Sequence, residues 1–311
     1  WVVDTVHERM PGENGDVLLG MLIGQKRGLP AEALDDFIRT GTSHILAVSG
    51  FNVSIFIIWL SGLAAWVGRR RQLIISAVAV VCFAGISGFS AAVIRASCMG
   101  LLLLVSFGQG RLYIPAAAVI LAAAGMVFQN PRLLYWDVGF QLSVVATLGI
   151  VWGMDVVGRL KEWFPRAGML LQLVGVTVCA LVATIPLSVW HFGQLSTVAV
   201  VANLLVLPFV EIIMALGLLA LVPVIGMGFA YVCGLALTAM RWIVGVLAEV
   251  PFASVSASLS GSWAVVVLAL VLGLLYLGSE DGERIRSYVT TMRRVWYNLP
   301  RLAEKAVKKY Q

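Results

Sequence analysis

A run of polar and small residues lies where a long apolar, uncharged stretch of the chain begins. The run is Thr42-Ser43-His44-Ile45-Leu46-Ala47-Val48-Ser49-Gly50-Phe51-Asn52-Val53-Ser54, and no charged residue follows it until Arg69. Residues 45–67 are long enough to cross a membrane as one helix. Polar groups in such a helix are costly and usually face a bundle interior or a water-filled path. The run therefore predicts either a polar site or a helix-packing stripe of small residues with one satisfied histidine.

Further polar and ionisable residues interrupt later apolar segments. They are Arg95, Asp137, Gln141, Ser143, Glu211 three residues after Pro208, and Arg241. We interpret Glu211 and Arg241 as members of buried ion pairs that fix the positions of helices. Arg95 and Asp137 stand beside small or amide residues, so the lining of a path is an equally good interpretation for them.

The overall composition indicates a membrane protein with several spanning segments. The chain is 60% hydrophobic and only 12% charged, and its mean hydropathy is +0.95. A soluble domain does not have this composition. The four cysteines lie in apolar runs without a C-x-x-C pair, which favours buried thiols over a disulfide framework or a zinc site.

The apolar pattern predicts an all-α fold of about nine transmembrane helices. The predicted spans are residues 45–67, 72–88, 91–106, 113–128, 137–157, 167–190, 196–222, 227–249 and 262–278. Before them, residues 17–24 are too short to cross, and residues 29–39 alternate charged with apolar side chains. The latter pattern is typical of an amphipathic helix at the membrane interface or tucked against the bundle.

The distribution of positive charge predicts the orientation of these spans. Cytoplasmic loops of membrane proteins carry an excess of Lys and Arg. Most of the 22 Lys and Arg residues fall on one side if the region before residue 45 is outside. We therefore predict that residues 1–16 end a preceding extracytoplasmic region, that residues 17–278 form the transmembrane domain, and that residues 279–311 form a basic cytoplasmic tail. Since the first residue is not Met, we expect a fragment of a longer protein.

Several segments of the chain resemble the transmembrane competence domain of the ComEC family. They are, in chain order, Gly20-x-x-x-Gly24-Gln25-Lys26-Arg27-Gly28-Leu29, Phe37-x-x-x-Gly41-Thr42-Ser43-His44-Ile45-Leu46-Ala47-Val48-Ser49-Gly50, Ser87-Gly88 through Ile94-Arg95-Ala96, Asn130-Pro131, Asp137-Val138-Gly139-Phe140-Gln141-Leu142-Ser143, Ile185-Pro186, Phe192-Gly193, and Ala202-Asn203-Leu204-Leu205-x-x-Pro208. Residues 20–208 carry the resemblance, and the run at 137–143 is its most specific part.

The resemblance implies a multi-pass protein of the bacterial cytoplasmic (inner) membrane that carries single-stranded DNA into the cytoplasm during natural transformation. Two departures limit it. Phe51-Asn52 stands where many members have a histidine-containing segment, and the metallo-β-lactamase-like nuclease domain of many members is missing. We therefore expect a DNA-uptake channel and not an enzyme, with no cofactor and no metal.

A channel for DNA needs donors for phosphate, because a low-dielectric pore would otherwise reject a charged strand. The candidate DNA-path or pore-lining residues are Arg39, Ser43, His44, Ser49, Gly50, Asn52, Arg95, Arg132, Gln141 and Asn203. The residues expected to form a structural polar network are Asp137, Ser143, Glu211 and Arg241. Under the predicted orientation the motifs around His44 and Gln141 face the same side. We expect Gln141 to reach a polar group near His44 and so to form a channel mouth.

The expected partners follow from the same picture. They are single-stranded DNA, membrane lipids, an external DNA receptor, and a cytoplasmic motor or single-strand-binding protein. A separate motor is expected because the chain has no G-x-x-x-x-G-K-[ST] motif for ATP. Self-association into a homo-oligomer stays open. The rival classes are a membrane-embedded hydrolase and a small-solute secondary transporter. No Gly-x-Ser-x-Gly elbow supports the first, and no obvious pair of repeated broken helices supports the second.

Overall fold

Apolar segments, separated by turns that contain Gly, Pro or charged residues, fold into helices. The computed structural model describes residues 1–25, 28–46, 68–89, 91–109, 114–164 and 167–279. Its helices are α1 (Val2–Arg9), α2 (Glu13–Ile23), α3 (Ala31–Arg39), a 3₁₀ helix (Ser43–Leu46), α4 (Arg69–Ile86), α5 (Ala91–Gly108), α6 (Pro115–Gln129), α7 (Leu133–Trp136), α8 (Val138–Trp163), α9 (Gly168–Phe192), α10 (Ala199–Ala220), α11 (Gly226–Ala248) and α12 (Gly261–Gly278). The predicted all-α fold class is confirmed, apart from one small strand pair.

That strand pair joins the ends of three long helices. Strands β1 (Gln194–Ser196) and β2 (Ser254–Ser256) pair antiparallel, with Leu195 opposite Val255. Strand β1 lies between α9 and α10, and β2 follows α11. The carboxyl ends of α9 and α11 therefore meet the amino end of α10 at one end of the bundle, and α3 packs against β1 at the same place.

Fewer helices than expected qualify as spans. Within the described residues, five are long and apolar enough to cross a membrane: Val138–Glu162, Leu171–Phe192, Ala199–Ala220, Gly226–Ala248 and Gly261–Gly278. The apolar helices Val93–Ser106 and Pro115–Gln129 are shorter. Fifteen residues rise about 22 Å, less than a hydrocarbon core of about 30 Å. The count of nine is therefore not confirmed, and the predicted span at 45–67 lies almost wholly outside the described residues.

The core has two parts, the smaller of which lies between α8, α9 and α12. Val145, Ala183 and Leu187 are buried there. Trp152 on α8 meets Tyr276 on α12 edge to face, with ring centroids 5.0 Å apart. The larger part joins α1, α2, α3 and the 3₁₀ helix to α4, α5, α10 and α11. Side chains from the first 46 residues thus fill the space between the later helices.

Helix α1 contacts the carboxyl end of α10. Val6 is 1% exposed in the larger core. Arg9 donates from Nη1 to the carbonyl oxygens of Ala220 and Val222, at the carboxyl end of α10. A cation there is also favoured by the helix dipole. The predicted orientation assigns this end of α10 to the inner side, so Arg9 lies opposite the side where that orientation places residues 1–16.

Side-specific labelling of introduced cysteines tests on which side of the membrane residues 1–16 and the ends of the helices lie. We expect Arg70→Cys to react with a membrane-impermeant thiol reagent only in permeabilised cells, because Arg70 is exposed and lies in the arginine run of α4. Ser260→Cys, exposed before α12, should react in intact cells. Glu8→Cys should behave like Arg70→Cys if the contact of Arg9 with α10 forms. Labelling of Arg70→Cys from outside would overturn the predicted orientation. Ser279 is buried and makes a poor reporter.

Candidate functional site

The segment that opens the polar run is a tight turn between α3 and the 3₁₀ helix. Gly41 has φ +71°, a backbone conformation that favours glycine. A Cβ on Gly41 would lie 2.9 Å from the Ala199 Cβ and 3.1 Å from the Ser196 Cβ. The fully buried Thr40 and Thr42 join their hydroxyls at 2.8 Å. This turn therefore places Gly41, directly before the polar run, against the amino end of α10.

The polar run does not begin as the α-helix that the small-residue stripe assumed. Residues 43–46 form a 3₁₀ helix, in which Ile45 N donates to Thr42 O at 2.9 Å. Ser43 is half-buried and His44 is exposed. Ser43 therefore lies in a 3₁₀ turn and not in an α-helix, and the later residues of the predicted small-residue stripe lie outside the described residues. The candidates Ser49, Gly50 and Asn52 lie outside the described residues.

The run at 137–143 forms the corner between α7 and α8. The Asp137 carboxylate caps α8 by accepting from Phe140 N at 2.8 Å. A capping carboxylate satisfies a backbone N–H that has no partner within the helix, and it suits the positive end of the helix dipole. Phe140 is buried at 3% exposure. Asp137 and Phe140 of this motif therefore both have structural roles, the first as a helix cap and the second as a buried side chain.

Gln141 ties this corner to the end of α9. Its Nε2 donates to Leu134 O at 2.7 Å, and its Oε1 lies 2.8 Å from His191 Nε2. Because the amide nitrogen already donates to Leu134, the amide oxygen faces His191 and accepts the imidazole N–H. Among the described residues these are the partners of Gln141, so the expected approach to a group near His44 is not what the structure shows.

His191 is a site residue that the sequence reasoning missed. It is half-buried in the last turn of α9, and its ring lies against Trp190 with centroids 4.3 Å apart. The available signal was its position directly before Phe192-Gly193, a segment that carries the family resemblance. The imidazole and the Gln141 amide together hold α8 and α9 in register at this end of the bundle.

Arg95 is the most deeply buried charged side chain of the described residues. It lies one turn into α5 and is 2% exposed, and its Nη1 has no hydrogen-bond partner among the described residues. Asp137 is the negative charge that acts on it, and α5 packs against α8, the helix that Asp137 caps. A buried guanidinium N–H without an acceptor is costly. Such a group is suited to receive an anion or a rearranged acceptor.

Arg241 anchors the amino-terminal segment and not a neighbouring long helix. It forms an ion pair with Glu13, and its Nη1 donates to Asn14 Oδ1 at 3.0 Å. Asn14 Nδ2 in turn donates to Thr238 Oγ1 at 2.8 Å. Arg241 is paired, as interpreted from the sequence, but its partner is on α2 and the pair is not buried, since the two side chains are 29% and 43% exposed. Glu13 and Arg241 are 228 positions apart and meet only through tertiary packing, so no local pattern indicated the pair.

The remaining candidates are spread over the molecule. Glu211 is exposed on α10 and makes no ion pair within the described parts of the chain, so it does not belong to a buried network there. Asn203 is 3% exposed, and its Oδ1 has no hydrogen-bond partner in the part of the chain that the structure describes. Arg132 is exposed on the short turn before α7, and Arg39 is half-buried at the end of α3. Ser143 is half-buried and accepts a hydrogen bond from Thr147 at its carbonyl.

Of the candidates, Arg95 lies within electrostatic range of Asp137, Asp137 caps the helix turn that carries Gln141, and Gln141 contacts His191. We call these four residues the α8 corner. The α8 corner offers one buried cation with a free donor, one carboxylate held by a helix end, and an amide–imidazole pair. This set can bind and position an anionic group, since guanidinium N–H groups match phosphate oxygens. It shows no nucleophile paired with a base.

Comparison with known proteins gives one family and two relatives. A family model described as Competence protein matches residues 21–281. ComE operon protein 3 of Bacillus subtilis (strain 168) is 25% identical over 211 residues, which are 67% of this chain and 26% of that protein. An uncharacterized protein of Aquifex aeolicus (strain VF5) is 33% identical over 135 residues, 43% of this chain and 32% of that protein. The chain thus spans about a quarter of the first relative's length and about a third of the second's. No solved structure matches the chain.

Proposed function

Because this chain belongs to the Competence protein family, we propose that it is the membrane-embedded part of a DNA-uptake system. In this proposal it forms the inner-membrane channel that carries single-stranded DNA into the cytoplasm during natural transformation. The family match covers most of the chain, and the chain has at least five helices suited to a membrane. The similarity to ComE operon protein 3 of Bacillus subtilis supports the same role.

The observation that carries the channel proposal is the α8 corner. A strand that crosses a low-dielectric region needs cationic donors for its phosphates. Arg95 is a buried guanidinium with an unused N–H, held near one carboxylate and away from water. A passing phosphate supplies the acceptor that Nη1 lacks. Asp137 repels phosphate and therefore serves to hold the corner while Arg95 makes the contact.

The proposed channel acts with partners and without chemistry of its own. An external receptor delivers the strand, and a cytoplasmic motor or single-strand-binding protein draws it inward. No catalytic role is assigned to any residue. Self-association is compatible with this arrangement but is not needed for the α8 corner, since its four residues lie in one chain.

Uptake of labelled DNA tests the proposal. Cells in which the gene is deleted should bind DNA at the surface but should not internalise it, and the wild-type gene should restore internalisation. Nuclease protection of the label separates the two pools. Normal internalisation in the deletion strain would contradict a channel role, and loss of surface binding alone would indicate a receptor instead.

A further inference from the structure

A small cavity lies between α3 and α11, away from the α8 corner. Its volume is about 260 Å³, and Phe37 and Val244 form part of its wall. Ligand pockets for larger molecules have about 300–1,000 Å³. The cavity is therefore suited to a small group and is too tight for a nucleotide. Two ionisable side chains of opposite charge, Asp36 and Arg241, also line it.

These two charges differ in how they are held. Arg241 is positioned by Glu13 and Asn14 on α2, and a guanidinium has five N–H donors, so donors remain for a further acceptor. Asp36 has no ion pair in the described parts of the chain. Burial, followed by the neighbouring Asp35 carboxylate, raises the pKa of Asp36. A cation close to Asp36 would favour its ionised form.

The cavity lies mainly beside the last third of α11, towards the end of that helix and so towards the membrane interface. Helix α3 is amphipathic: Phe37 is 1% exposed, whereas Glu32 and Asp35 are exposed. Charged groups on such a helix stay among lipid headgroups. Trp242 at the edge of the cavity is 69% exposed, and tryptophan is enriched at this level of a membrane.

We propose that the cavity binds the headgroup of an aminophospholipid, with the lipid ammonium on the Asp36 carboxylate and the phosphodiester on the Arg241 guanidinium. One cationic and one anionic group on the ligand match one carboxylate and one guanidinium on the protein. The acyl chains lie along the apolar face of α11 beside Trp242. Bound lipid then holds α3 in place, and α3 leads directly into the Gly41 turn and the polar run. This inference does not rest on the channel proposal.

Lipid retention of the purified protein tests this site. Protein in nanodiscs of equal parts phosphatidylethanolamine, phosphatidylcholine and phosphatidylglycerol is released into the gas phase, and its retained lipids are weighed by native mass spectrometry. We expect phosphatidylethanolamine to be enriched over the other two. Phosphatidylcholine keeps the positive charge but has no N–H donors, and phosphatidylglycerol lacks the amine.

Asp36→Asn should lower retained phosphatidylethanolamine by about tenfold, which corresponds to the loss of one charge-assisted hydrogen bond. Asp35→Asn is the matched control, because Asp35 is the adjacent exposed carboxylate and does not line the cavity. Ala33→Leu fills the cavity while it leaves Asp36 in place, and should have the same effect as Asp36→Asn. Equal retention of the three lipids by the wild type, or equal loss in Asp35→Asn and Asp36→Asn, would overturn the proposal.

Discussion

Cells that carry Arg95→Ala should bind DNA at their surface as the wild type does and fail to internalise it. The physical reason is the environment of Arg95: the side chain is 2% exposed, and no described residue accepts a hydrogen bond from its Nη1. A hydrogen bond from a charged donor contributes about 1.5–3 kcal/mol, so its loss at the proposed phosphate contact should reduce internalisation by about 10- to 100-fold. Nuclease-protected label measures the change.

Arg95→Lys should restore part of the activity, because lysine keeps the charge but lacks the planar set of donors. Arg70→Ala provides the control: Arg70 is exposed at the start of α4 and lies outside the α8 corner. Each variant is scored at equal abundance in the membrane. Wild-type internalisation by Arg95→Ala at normal abundance would remove Arg95 from the DNA path.

The sequence pattern predicted the helical regions well and their roles as spans less well. Each predicted span from residue 72 onward coincides with a helix, and the amphipathic segment at 29–39 is α3. The nine-span count relied on the length of the apolar runs, which does not show where each helix begins and ends. The first turn of α4 contains three arginines, and α6 has only 15 residues. Composition detects an apolar helix, but whether the helix crosses a membrane also depends on its length and end charges.

The candidate site was predicted in part. Arg95, Asp137 and Gln141 were identified because polar residues interrupt apolar segments, which is a local signal. The partner of Gln141 was not found, since His191 is 50 positions away and joins it only through the packing of α8 on α9. Glu211 shows the opposite error. It interrupts an apolar segment as Arg95 does, but it is exposed, because one-dimensional spacing does not tell which face of α10 is covered.

Close packing of α8 on α9 should make Gly149→Ala strongly destabilising. A Cβ at residue 149 would overlap the Ala183 Cβ and lie 2.9 Å from the Cys179 carbonyl oxygen. Backbone and a short side chain cannot move aside cheaply, and overpacking costs about 1–3 kcal/mol. Small residues at helix contacts in membranes let backbones approach in this way. We expect a lower midpoint of thermal unfolding and less folded protein.

Gly158→Ala is the matched control, because Gly158 lies on the same helix and a Cβ there meets nothing within 4 Å. Both changes gain the same helix propensity, about 1 kcal/mol, so any difference between them measures the contact with α9. Adding Ala183→Gly to Gly149→Ala removes one of the two clashes and should recover part of the loss. If both single variants unfold alike, α8 and α9 do not pack at Gly149. The α8 corner would then lack the support that holds Gln141 against His191, since the same helix pair carries both contacts.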